Sequence, residues 1–141
     1  LSVYLDTSVL VGLFIAHDGF AARAQALAET PGFTPVVSDF VSTEFASVIA
    51  RLTRMNSLHL DGAREIFAAF DAWTAACADL AKVAGIDVQT ADCFIGLLDL
   101  NVRAPDAINL AIASRLGAPV ATFNRGMAAC ATTLGIALQP L

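Results

Sequence analysis

Short apolar runs that pass directly into helical patterns constrain this chain more than any other feature. Ser2–Leu5 (SVYL) leads into Thr7–Ile15, and Pro35–Ser38 (PVVS) leads into a pattern over about Phe40–Arg54. There Phe40, Phe45, Val48, Ile49 and Leu52 recur close to a 3.6-residue period. Pro119–Phe123 (PVATF) precedes a helix at Met127–Leu134, and Ile136–Leu138 reads as a closing strand. Between these lie helical segments at Phe20–Glu29, Asp61–Ala76 and Thr90–Leu98. Another begins near Pro105, where a missing N–H is harmless, and stops at Gly117. Short apolar strands alternating with helices argue for an α/β fold, with a central, mostly parallel sheet flanked by helices. With 141 residues and no repeat, linker or low-complexity tract, the expectation is a single domain over 1–141.

Hydrophobic residues make up 57% of the chain, yet the apolar stretch near Val9–Ala16 is too short to cross a bilayer. No signal-peptide pattern is visible, so the expected location is the cytoplasm, with no membrane partner. The surplus apolar surface points instead to a second chain, as a homodimer or an obligate complex. Cys77, Cys93 and Cys130 are far apart and odd in number, which disfavours a disulfide framework and fits a reducing compartment. A net charge of −5 disfavours a protein that grips nucleic acid by bulk electrostatics. It leaves open an enzyme that meets nucleic acid through a metal site, because bound cations offset local carboxylates.

In sheets of this kind functional groups collect outside the C-terminal strand ends. Asp6 follows the first strand and Asn124 follows PVATF, so the two are expected to be neighbours if those strands are adjacent. Several chemistries are excluded. No dinucleotide or P-loop glycine motif occurs. A haloacid-dehalogenase-type phosphatase would need an aspartate where Ser8 stands, and a response-regulator receiver would need a late-strand lysine, whereas Lys82 is the only lysine. Ser8 with His17 or His59 lacks a nucleophile elbow.

Three acids remain in awkward places, each with an ordinary role open to it. Asp6 can cap the helix after a buried strand. Glu44, inside FVSTEFASVIAR, can face solvent and pair with Arg51. Asp106, beside Pro105, can complement a helix dipole. Asp39, Asp92 and Asp99 read as caps and surface.

Together, the stretches VYLDTSVLVGLF, SDFVSTEFASVIARL, LNVRAPDAINLAIASRLGAPVATFN and AACATTLGIAL resemble the PIN domain, and more narrowly its VapC-type toxin nucleases. The resemblance runs over nearly the whole chain in the family order. It implies a three-layer PIN-like fold and a metal-dependent endoribonuclease, the toxin of a type II toxin–antitoxin module. The implied substrate is structured RNA such as tRNA or rRNA. A VapB-like antitoxin would block the site, and the chain would form a homodimer. Asp6, Glu44 and Asp106 would be the catalytic acids holding Mg²⁺ or Mn²⁺, Glu44 directly or through water. Hard oxygen ligands suit those ions better than zinc, and the ion would activate a water for in-line attack on phosphorus.

The pattern departs from the family at two positions. A fourth acid is common where this chain has Asn124, which offers a carbonyl oxygen with one negative charge fewer; Asn124 is expected to join the catalytic set by supporting the metal or its water, and a two-metal arrangement is correspondingly disfavoured. A frequent histidine is replaced by Asn109, which reads as structural. Thr7 and Ser8 are expected to cap the following helix and to supply supporting hydroxyls, leaving Asp6 free for metal. Arg103 and Arg125 are candidates for the substrate phosphate or for pairing with the carboxylates. Val9, Leu10, Leu13 and Phe14 are one candidate antitoxin groove, with core packing the competing fate. The rival functional reading is a PIN-like module that binds RNA or protein without cutting.

Overall fold

The computed structural model describes residues 1–141. Four strands form one parallel sheet in the order β3-β2-β1-β4, where β1 is Ser2–Leu5, β2 Thr34–Ser38, β3 Asp79–Ala81 and β4 Val120–Ala121. Seven helices connect and cover them: α1 Thr7–Phe14, α2 Ala21–Ala28, α3 Asp39–Arg54, α4 Leu60–Cys77, α5 Gly85–Gly96, α6 Ala104–Leu116 and α7 Arg125–Thr133. The expected α/β architecture is present.

Strand alternation divides the core into two apolar layers. Val3, Leu5 and Val37 point to one face and pack with Val9 and Leu10 of α1, Phe45 and Ile49 of α3, and Phe70 of α4. Tyr4, Val36 and Val120 point to the other, against Leu110 and Ile112 of α6 and Met127 of α7. Burying each large side chain contributes roughly 1.5–3 kcal/mol. Of the two fates open to the apolar face of α1, groove or core packing, the structure shows core packing. Val9 and Leu10 are fully buried, while Phe14 packs edge-on against Phe45, Phe70 and Trp73. Gly12 lets α1 and α2 approach closely, since a Cβ there would lie 2.9 Å from the Ala24 methyl.

The helix ends follow local chemistry. Ser38 Oγ accepts from the Val41 amide to cap α3, which has Asp39 in its first turn and Arg51 and Arg54 in its last. Gly117, at φ +63°, closes α6 in the left-handed conformation that glycine adopts without strain.

Three boundaries differ from expectation. The PVATF strand contracts to Val120–Ala121, because Thr122 and Phe123 peel away to bond with side chains of the β1–α1 turn. Ile136–Leu138 contributes only one parallel bridge, Val120 to Leu138. The helix expected from Thr90 begins at Gly85, with Asp87 reaching back to accept from the Ala84 amide. No helix is long and apolar enough to cross a membrane, and all three cysteines are free.

Candidate active site

The pairing of β1 with β4 sets the geometry of the site. The Asp6 amide donates to the Ala121 carbonyl at 3.0 Å, so the chain segments leaving the two strands emerge side by side. Asp6 is 5% exposed. Its Oδ2 accepts from Ser8 Oγ at 2.7 Å, Thr122 Oγ1 at 2.9 Å and the Ser8 amide at 3.3 Å. Asp6 is therefore itself the N-cap of α1, which corrects the expected division of labour. Ser8 does not cap; its hydroxyl donates to Asp6 and accepts from the Phe123 amide at 2.9 Å. All of these bonds use Oδ2, which leaves Oδ1 without a protein donor.

Glu44 lies in the second turn of α3, half-buried. Its Oε2 accepts from Thr7 Oγ1 at 3.0 Å and Asn109 Nδ2 at 2.6 Å, not from Arg51. Asn109 is fully buried on α6, and its Oδ1 accepts from the Tyr4 hydroxyl at 2.6 Å. A phenol carries one proton, so the 2.7 Å contact between Tyr4 and Ser38 is donated by Ser38. A directional chain thus runs from Ser38 on β2 through Tyr4 on β1 and Asn109 on α6 to Glu44 on α3. Asn109 read as structural in the sequence, yet it is the residue that orients this carboxylate.

Asp106 stands in the first turn of α6, and its carboxylate accepts no hydrogen bond from the protein. Burial, then the nearby Asp6 charge, pushes its pKa above the ordinary value, against a smaller opposing pull from Arg103. Glu44 is also raised, first by burial and then by Asp6 and Asp106, although its bonds to Asn109 and Thr7 oppose the shift. These shifts report like charges held close together in a partly dry place.

Asp6, Thr7, Ser8, Glu44, Asp106 and Asn124 line one cleft of about 340 Å³. Asn124 is the N-cap of α7, its carbonyl oxygen engaged by the Met127 amide at 3.1 Å. Neither Arg103 nor Arg125 forms an ion pair with the acids; the two ion pairs in the molecule are Arg64–Asp61 and Arg115–Asp87. Sequence reasoning did not place Arg51 or Arg54 in the site: Arg51 lines the acid cleft itself, and both line an adjoining cleft with Thr7, Glu44 and Ser47. The available signal was spacing: Arg51 is two helical turns from Glu44 and shares its face.

The acids are gathered but not closed. No three acidic, cysteine or histidine side chains approach one point tightly enough to hold an ion unaided. The donor chemistry nevertheless fits a hard divalent cation whose shell is completed by water. Asp6 Oδ1, Glu44 Oε1 and both Asp106 oxygens lack protein donors, and none of the three acids is ion-paired.

A family model described as the PIN domain matches residues 3–132. The fold resembles VapC20 from Mycobacterium tuberculosis, described as a sarcin–ricin loop cleaving toxin, with TM-score 0.74 and 21% identity, covering 98% of this chain and 99% of that one. It also resembles FitAcB from Neisseria gonorrhoeae (TM-score 0.74, 14% identity, 98% and 96% covered). VapBC-1 from nontypeable Haemophilus influenzae is similar too (TM-score 0.67, 15% identity, 99% and 97% covered). No curated protein matches the sequence. The structural likenesses speak for the fold, and the family model covers most of the chain's length: the chain belongs to the PIN domain family.

Proposed function

We propose that the chain is a metal-dependent endoribonuclease, the toxin of a type II toxin–antitoxin module. One observation carries the reading: Asp6, Glu44 and Asp106 line a single cleft, repel one another, and form no ion pair. Groups kept in that state against electrostatic cost are candidates for function. Membership of the PIN family and the toxins and toxin–antitoxin complexes among its structural neighbours support the same conclusion.

Asp6, Asp106 and Glu44 would hold Mg²⁺ or Mn²⁺, Glu44 directly or through water. When bound, the ion supplies charge to stabilise a phosphodiester undergoing attack and to make water nucleophilic at neutral pH. The protein side chains do the remaining work. Ser8 and Thr122 fix Asp6, and Thr7 and Asn109 fix Glu44. Arg51 and Arg54 bind backbone phosphates on one side of the acids, with Arg103 and Arg125 as further contacts. Asn124 caps its helix and adds no charge, which favours one ion over two.

A VapB-like antitoxin covers the cleft in the resting complex, and the chain acts in the cytoplasm as a homodimer. Exposed Leu80, Ile86, Val88, Leu97 and Leu98 supply apolar surface for such assembly. The test is incubation with total RNA and Mg²⁺ or Mn²⁺, followed by mapping of new ends. The expected result is a small set of discrete cuts that vanish in EDTA and in Asp6→Asn. An inert wild type that still binds an antitoxin tightly would favour the non-catalytic binding module.

A further inference from the structure

Beside the acid cleft lies a second cleft of about 270 Å³, lined by Phe20, Arg23, Phe123, Asn124 and Arg125 among others. Phe20 and Asn124 line both clefts, so the two are neighbours. Phe20 and Phe123 stack nearly parallel, with ring centroids 4.4 Å apart and planes 7° apart. Arg23 sits over them, 5.2 Å from the Phe123 centroid and 5.9 Å from that of Phe20. It is held there by a 2.8 Å bond to the Leu141 carbonyl. Phe20 remains 40% exposed despite the stack. Arg125 has no hydrogen-bond or ion-pair partner, and the Asn124 side-chain nitrogen donates to nothing in the protein.

We propose that this cleft is a nucleobase-stacking subsite for the nucleotide adjoining the scissile phosphate. The inference rests on the nuclease reading and extends it. A polynucleotide with one phosphate at the acids must continue into neighbouring space, and this cleft adjoins the acids directly. Its lining matches what a nucleotide presents. The Phe20–Phe123 stack offers a π-face to the base, Arg125 a free guanidinium to the next phosphate, and Asn124 an open donor to a base edge. Aromatic stacking tolerates any base, so the subsite contributes affinity and register more than strict sequence choice.

The probe is a set of single-stranded RNA heptamers, each with one 2-aminopurine moved along the sequence, titrated into the full chain in EDTA so that no turnover occurs. The expected result is a fluorescence change confined to one position. Phe20→Ala should abolish that change and weaken binding about 10-fold. Phe20→Leu, which keeps the apolar cover without the π-face, should behave like Phe20→Ala, whereas Phe20→Trp should restore both signals. Equal affinity and an unchanged signal in Phe20→Ala and Phe20→Leu overturn the subsite, as does failure of the wild type to bind any heptamer. Cleavage of the same heptamers in Mg²⁺ reads the parent proposal separately. Cutting without position-specific stacking rejects the subsite alone. Stacking without cutting rejects the nuclease and, with it, the assignment of this cleft to a neighbour of a scissile phosphate.

Discussion

Two carboxylate environments in this molecule are opposites. Asp87, near the start of α5, is 1% exposed and fully answered. Arg115 of α6 grips it through two bonds, Nε to Oδ1 at 2.7 Å and Nη2 to Oδ2 at 2.8 Å, and the Ala84 amide adds a third at 2.7 Å. That hydrogen-bonded partner holds the Asp87 pKa below its ordinary value, against burial. Asp6, Glu44 and Asp106 instead face one another, and burial and mutual charge push Glu44 and Asp106 upward. Asp87 is a bolt between two helices. Asp6 and Glu44 also tie elements together through Oδ2 and Oε2, but each keeps its other oxygen free, and their neighbours aim these acids at a cleft.

Substitutions should therefore separate activity from stability. The largest expected effect is on RNA cleavage: Asp6→Asn, Asp106→Asn or Glu44→Gln should each lower the rate by at least about 100-fold, because even outer partners of metal ligands cost 10–100-fold. Circular dichroism should show the fold intact. Cleavage at the wild-type rate by all three variants would remove the distinction between the environments. Asn109→Ala comes next. By freeing Glu44 it should cost roughly 10–100-fold in rate, and its metal affinity should fall while Asp6→Asn remains the more severe lesion.

Asp87→Asn should do the reverse. It should lower unfolding free energy by about 1.5–3 kcal/mol, the range for hydrogen bonds to charged groups, while cleavage below the melting transition stays at the wild-type rate. A denaturant titration paired with a rate measurement reads both. Lost activity in a folded Asp87→Asn protein would show that the two regions are coupled.

The smallest effect is in pH dependence without metal. Glu44 and Asp106 bind their protons more tightly when folded, so their contribution favours the fold at low pH and is lost as pH rises through their raised values. Asp87 has the opposite sign: its contribution is present above the ordinary carboxylate range and is lost as pH falls toward its depressed value. In EDTA, Glu44→Gln should gain on wild type as pH rises from about 4 to 7. Asp87→Asn should gain on wild type as pH falls toward about 2. Parallel melting curves for all three proteins across pH would rule out this electrostatic contrast.

The sequence reveals most of the fold where pattern and end signals agree. Strand β1 with its following acid, the Ser38 cap and the Pro105–Gly117 helix are all readable from residue type. Strand β3 is not, because it is a three-residue edge with Leu80 73% exposed and no alternation to detect. The start of α5 is hidden for another reason: Ala84 cannot cap, and the cap comes from Asp87 three residues later. At the site, resemblance to a family singled out the three acids, but not what aims them. Asn109 matters through Tyr4, 105 positions away in sequence, and that contact exists only after folding. Asp6 looked free of capping because Thr7 and Ser8 stood ready to cap. In the fold those hydroxyls serve the carboxylates.

The central claim, that Asp6, Glu44 and Asp106 form a divalent cation site, is tested most directly by Mn²⁺ titration monitored through the electron paramagnetic resonance of the free ion. Wild type and Asp87→Asn should each sequester one Mn²⁺ per chain, and Asp6→Asn and Asp106→Asn should sequester none over the same range. Saturable binding that survives both substitutions, or no binding by the wild type, would contradict it.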